Sequence, residues 1–122
     1  MTYDETKTYL STKNGVTNGY PFGPGIHVYK VMGKMFALIR EDTNPISVNL
    51  KCDPDDALIL RAQFEAVQPG YHMNKEHWNT VVFDGTISDD TLKMMIDHSY
   101  REVARKLKKS DRDKLELELS SD

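Results

Sequence analysis

A chain of 122 residues with 39% hydrophobic and 29% charged side chains is one globular domain's worth of ordinary composition, which excludes collagen-like, low-complexity and wholly disordered classes. Its longest apolar run, Met35-Phe36-Ala37-Leu38-Ile39, falls far short of the ~20 residues that span a bilayer. The polar start Met1–Glu5 has no signal-peptide pattern and a single Cys52 allows neither an internal disulfide nor a cysteine zinc cage, so a cytoplasmic location is expected. The formal net charge of −3 sits wholly in residues 111–122, leaving residues 1–110 neutral.

The predicted elements follow in chain order. Tyr3, Thr6, Tyr9 and Leu10 stand near helical spacing, and Asn14-Gly15 is a suitable stop, giving a short helix over Tyr3–Lys13. Tyr20-Pro21-Phe22-Gly23-Pro24-Gly25 forbids regular structure. Ile26–Val31 and Lys34–Arg40 read as strands of a hairpin around Met32-Gly33, with Gly33 supplying a positive φ. Ile46–Lys51 alternates cleanly, so Ile46, Val48 and Leu50 face a core while Ser47, Asn49 and Lys51 point away. Asp53-Pro54-Asp55-Asp56 opens a helix to about Phe64, with Asp53 as the cap and Pro54 in the first turn. Gln68-Pro69-Gly70 reads as a turn, Tyr71–Lys75 as a short strand, and Trp78–Phe83 as a firmer one ending at Asp84-Gly85. Ser88 caps a long helix whose stripe is Leu92, Met95, Ile96, Tyr100, Val103 and Leu107. Ser110 is positioned to cap a further short helix through Leu119. The resulting fold class is α+β, with helices on one face of an antiparallel sheet. Residues 1–110 form the domain and 111–122 an acidic tail. In that tail Leu115, Leu117 and Leu119 alternate with Glu116 and Glu118, a two-residue period that predicts loose attachment or pairing with another chain.

Enzyme chemistry finds little footing. Cys52 precedes a helix start, which favours a thiolate, but Asp53, Asp55 and Asp56 oppose it, and a lone cysteine is ordinarily a small apolar residue. His72 and His77, with Glu76 or Asp84 as further ligands, are five residues apart, which suits neither one helix face nor one strand face. Gly15, Gly19, Gly23 and Gly25 fit no phosphate-binding fingerprint. No catalytic residue, metal or cofactor is therefore assigned.

The segment Gly70 to Thr80 is richer. It holds His72, Asn74, Lys75, His77, Trp78 and Asn79, a set that offers amide and imidazole hydrogen bonds, a cation and a stacking surface. The competing reading makes Trp78 a core anchor and the asparagines turn-formers.

The blocks Lys30–Leu38, Lys51-Cys52-Asp53-Pro54, Pro69–Lys75, His77–Val81 and Asp97-His98-Ser99-Tyr100, together with Tyr20-Pro21-Phe22-Gly23, resemble the MmcQ/YjbR family from about Tyr20 to Val103. The resemblance implies a CyaY-like (frataxin-like) fold, a curved antiparallel sheet backed by helices. It also implies the predicted double-wing DNA-binding role described for that family. The expectation is accordingly a non-enzymatic DNA-binding or regulatory module working through the open sheet face. Its binding residues would be Lys34, Asn49, Lys51, His72, Asn74, Lys75, His77, Trp78 and Asn79. Parity places Trp78 and Thr80 beside Asn49 and Lys51 on that face, and gives Lys34 and Arg40 a common side. The alternatives are a small-molecule or protein-binding pocket at the same segment, and a weak metal binder.

Overall fold

The computed structural model describes residues 1–115. Helix α1 spans Tyr3–Ser11 and starts at a reciprocal cap, in which Thr2 and Glu5 each accept from the other's backbone N–H. Strands β1 (Val16–Gly19), β2 (Ile26–Val31), β3 (Lys34–Arg40) and β4 (Ser47–Lys51) follow. Then come α2 (Pro54–Gln63), β5 (Val67–Pro69), β6 (Trp78–Val82), α3 (Asp89–Ala104) and α4 (Lys109–Lys114). The six strands form one antiparallel sheet in the order β1-β2-β3-β4-β6-β5.

Asp53 and Ser88 cap α2 and α3 as their side chains dictate, accepting from Asp55 and Asp56 N–H and from Thr91 N–H respectively. The β2–β3 hairpin turns at Met32 and Gly33, both at positive φ (47° and 84°), the geometry that matches strand twist in a two-residue link.

Two strands depart from expectation. β1 falls in a stretch rich in Asn and Gly, and it exists because β2 pairs with all four of its residues. β5 contains Pro69, which the sequence reading placed in a turn; at the sheet edge a missing N–H costs no ladder bond. Tyr71–Lys75, expected as a strand, is instead a turn-rich loop with His72 at φ +58°.

Leu10, Val48, Leu50, Ile96, Tyr100 and Val103 belong to one core between the helices and a single face of the sheet. In β4 the expected parity holds: Val48 and Leu50 enter that core. In β3 it breaks. Tyr29 pairs with Ala37 while Lys30 pairs with Met35, so Phe36 is the extra residue of a bulge. Phe36 and Ala37 both enter the core, whereas Met35 and Leu38 lie on the opposite face. Lys34 and Arg40 therefore do not share a side. The Phe36 carbonyl accepts from Ser99 Oγ at 2.5 Å, and the same hydroxyl accepts from Lys51 N–H at 2.8 Å. One buried serine of α3 thus stitches β3 to β4 where the bulge has opened the ladder.

The last helix begins before Ser110, at Lys109, and no side chain caps it. Leu115 is buried in the core at 3% exposure. A Cβ on Gly15 would overlap it, and Asn14 Nδ2 donates to its carbonyl at 3.4 Å. The boundary expected at Ser110 thus falls inside packed structure. Leu117 and Leu119 lie outside the described residues.

Candidate functional site

Across the face turned away from the helices, Val28, Leu38, Asn49, Thr80 and Gln68 form one register row over five strands. Val28, Leu38 and Trp78 make a second, smaller cluster there, with Ile26, Met35 and Met73 half-buried against it. This apolar strip is covered by the loop from Gly70 to His77, which a closed ring of three hydrogen bonds holds down. Tyr71 N–H donates to Thr80 Oγ1 at 2.9 Å, Thr80 Oγ1 donates to Asn49 Oδ1 at 2.5 Å, and Asn49 Nδ2 donates to the Tyr71 carbonyl at 3.2 Å. Gly70 lets the loop start against the strand, since a Cβ there would stand 2.7 Å from that of Trp78.

The expected site residues consequently divide. Asn49 is buried and spent on the ring. Trp78 does lie on this face, but at 8% exposure it is an anchor of the small cluster and offers no stacking surface. Asn79 is on the other face, opposite Leu50 in register, with its Oδ1 accepting from Arg61 Nε at 2.7 Å. Asn74 shapes the loop by accepting from Glu76 N–H at 2.9 Å. Lys75 is exposed and its Nζ donates to the Gly70 carbonyl at 3.2 Å. His77 is half-buried, and its carbonyl accepts from Cys52 N–H at 2.8 Å. His72 is exposed, with its ring 4.1 Å from that of Tyr71. Lys34 is exposed at the hairpin tip and Lys51 half-buried at the end of β4.

One hollow remains on this face, and another lies at the end of the sheet, where the C-terminal end of α3 meets β3, β4 and β6. The larger, about 420 Å³, has Ile26, Leu38 and Met73 among its apolar walls and Arg40, Asn49 and His72 as its polar groups. At its rim stand exposed Phe22 and Tyr71, the latter under the Arg40 guanidinium at 4.9 Å. The smaller, about 310 Å³, brings Lys34 and Lys51 together with Lys106 over Met35, Trp78 and Leu107. Among the described residues none of these three ammonium groups, nor that of Lys30 paired with Met35 in register, has a carboxylate within ion-pair distance. Met35 lines both hollows. Sequence reasoning missed Lys106, because only the fold brings the end of α3 to the β2–β3 hairpin. Phe22 and Tyr71 stand beside glycines and prolines in the sequence, a context that favours exposed loops.

Cys52 is buried and its thiol is pushed up to about 12, first by burial and then by the charges of Asp56 and Asp53. It is therefore a thiol and no nucleophile at neutral pH. Among the described residues no three His, Cys, Asp or Glu side chains gather in a way that would hold a metal ion, and no helix is long and apolar enough to cross a membrane.

A family model described as YjbR matches residues 11–102. The chain belongs to the YjbR family. It is 33% identical over 112 residues to protein YjbR of Escherichia coli K12, covering 92% of this chain and 95% of that one. With protein YbdF of Escherichia coli O157:H7 it shares 39% identity over 92 residues, 75% of each chain. The crystal structure of Deinococcus radiodurans protein DR2400, described by the domain DUF419, superposes with a TM-score of 0.88 at 34% identity, over 95% of this chain and 88% of that one. A protein from Pseudomonas syringae superposes with a TM-score of 0.69 at 26% identity, over 81% and 96% of the two chains.

Several blocks that carry the YjbR resemblance are structural clasps. In Asp97-His98-Ser99-Tyr100, Asp97 accepts from Tyr9 Oη at 2.7 Å and from Lys13. His98 Nε2 accepts from Asp53 N–H at 3.2 Å, Ser99 bridges β3 and β4, and Tyr100 Oη donates to the Asn14 carbonyl at 2.6 Å. Each joins α3 to a different part of the chain.

Proposed function

We propose that this YjbR-family chain is a cytoplasmic, non-enzymatic DNA-binding or regulatory module whose CyaY-like sheet presents its helix-free face and the adjoining end of the sheet as a double-wing surface. The observation that carries this reading is the cleft formed by Lys34, Lys51 and Lys106, which have no carboxylate partner among the described residues. Three unpaired ammonium groups around a concave surface suit a phosphate backbone, whose contacts fix a protein's register on nucleic acid and supply most of the salt-dependent affinity. Phe22 and Tyr71, 61% and 51% exposed, replace Trp78 as the surfaces on which a base can stack.

A salt titration with random-sequence duplex and single-stranded oligonucleotides tests the reading. Affinity should fall steeply as salt rises, and Lys34→Ala, Lys51→Ala and Lys106→Ala should each weaken binding and flatten the duplex salt slope by about 0.9 per lost phosphate contact. Phe22→Ala should weaken single-strand binding without changing the slope. Binding that ignores salt, or its absence at low salt, rejects the proposal.

A second reading rests on the hollow around Ile26, Leu38 and Met73. Its apolar walls and two polar groups at the edge, Arg40 and His72, have the character of a small-molecule pocket. Ligand binding there would be insensitive to Lys106→Ala, which separates the two readings.

A further inference from the structure

On the helix-covered face a separate chamber opens between α2 and α3. Its volume is about 330 Å³, at the small end of the ~300–1,000 Å³ common among ligand sites. Leu50 and Val81 of the sheet, Leu60 of α2 and Met95 of α3 form apolar walls. Ile59 and Met94, 60% and 55% exposed, stand at the mouth. On the sheet side lies Asn79, itself only 2% exposed. Because Arg61 Nε donates to its Oδ1, the amide orientation is fixed. Its Nδ2 is therefore turned away from Arg61, and it is buried without a hydrogen-bond partner. Water-free burial of such a donor is costly unless something accepts from it.

The charged group bonded to that amide is a guanidinium. Arg61 donates to Asn79 and to the carbonyls of Lys75 and Trp78, and has no carboxylate partner among the described residues. At the rim stand Lys51 and Arg101 together with Asp56, whose charge, with that of Asp53, is felt at Cys52 in the wall. An orphan N–H beside an uncompensated guanidinium calls for an acceptor that carries negative charge. Apolar walls above it call for a hydrocarbon body. Cys52 in the wall stays protonated, so it does not capture the ligand covalently.

We propose that this chamber binds a small monocarboxylate with an aliphatic or aromatic body. The carboxylate accepts from Asn79 Nδ2–H, and the body lies between α2 and α3. Of the chamber's lining only Lys51 also lines the lysine cleft, so variants at Asn79 and Ile59 test this site apart from nucleic-acid binding.

Octanoate is the probe, with octyltrimethylammonium as its cationic counterpart. In heteronuclear spectra of the full chain, octanoate should shift the Asn79 side-chain amide and the Met94 and Met95 methyls. The Met35 and Met73 methyls, on the other face, should stay in place. Asn79→Asp keeps an acceptor for Arg61 while removing the donor, and should weaken octanoate by about tenfold or more. Ile59→Glu alters a mouth residue that is already exposed, so the fold is retained and the added charge should also weaken binding. Three results would overturn the proposal: octanoate leaves the Asn79 amide unmoved, the cationic probe binds as tightly, or folded Asn79→Asp and Ile59→Glu both bind octanoate like the parent. Shifts confined to Met35 and Met73 would move the site to the other face and equally overturn it.

Discussion

The two faces of the sheet solve the same problem by different means. One face is covered by helices, which bring a broad apolar stripe to Val48, Leu50, Ile39 and Phe36. The other has a smaller cluster to cover, Val28, Leu38 and Trp78 with Ile26 and Met35 against it, and a polar loop tied by the Asn49–Thr80–Tyr71 ring suffices. A face without helices is not for that reason a free face. Its polar side chains split into those spent on holding the cover, Asn49 and Thr80, and those left for a partner, Lys30 and Lys51 among them.

Truncating the anchor of each face measures how far they differ. Phe36→Ala, at 0% exposure in the main core, should cost about 3–5 kcal/mol in urea unfolding, the range for a buried aromatic. Trp78→Ala should fall at the lower end, about 3 kcal/mol, because its cluster is small and lies near solvent. As the only tryptophan, Trp78 should give a blue-shifted, quencher-resistant emission in the folded chain. A red, freely quenched spectrum would show that the loop is no cover. Leu115→Ala should cost about 2 kcal/mol or more, and truncation after Ser110 at least as much. An unchanged thermal midpoint would detach α4 from the core.

His27 sharpens the comparison by pH. It sits between the Tyr20 and Tyr29 rings, 4.7 Å from each, and Nε2 meets Asn18 Oδ1 at 2.9 Å while Nδ1 is buried without a partner. Burial, with Lys7 second, lowers its affinity for a proton below the ordinary value of 6.5. The unfolded chain therefore takes up the proton first, and stability should be complete above pH 6.5 and decline as pH falls below it. His27→Gln should flatten that decline. The smallest effect belongs to Cys52. Its thiol, pushed up to about 12, should react slowly with iodoacetamide at neutral pH, and Cys52→Ala should leave nucleic-acid binding intact.

Much of this was legible in the residues. Helix starts announced themselves through Asp53-Pro54 and Ser88, and the alternation of β4 named its two faces correctly, because those signals depend on neighbours in the chain. What was not legible depends on partners far away. β1 is a strand only because β2 pairs with it, and Pro69 is tolerated only because β5 lies at an edge. The bulge at Phe36 swaps the parity that simple alternation would give Lys34. For the proposed cleft, Lys51 was named from the sequence by type and strand parity, and Lys34 by type alone. Lys106 was not, since no local pattern says where a helix ends in space. Asn79 was grouped with its sequence neighbours although its strand parity, shared with Val81, places it on the helix side.

The sheet's two borders have a consequence for solution behaviour. A strand at a border presents unpaired backbone groups that invite another molecule to extend the sheet, the first step toward fibrils. Here the borders are the four residues of β1, ending in Gly19, and the three of β5, ending in Pro69. Both are too short to template a long ladder, and the proline removes one of the few donors available. The longer, apolar strands β2, β3 and β4 are shielded from such growth by being interior, so the chain keeps its most aggregation-prone segments where no second copy can reach them.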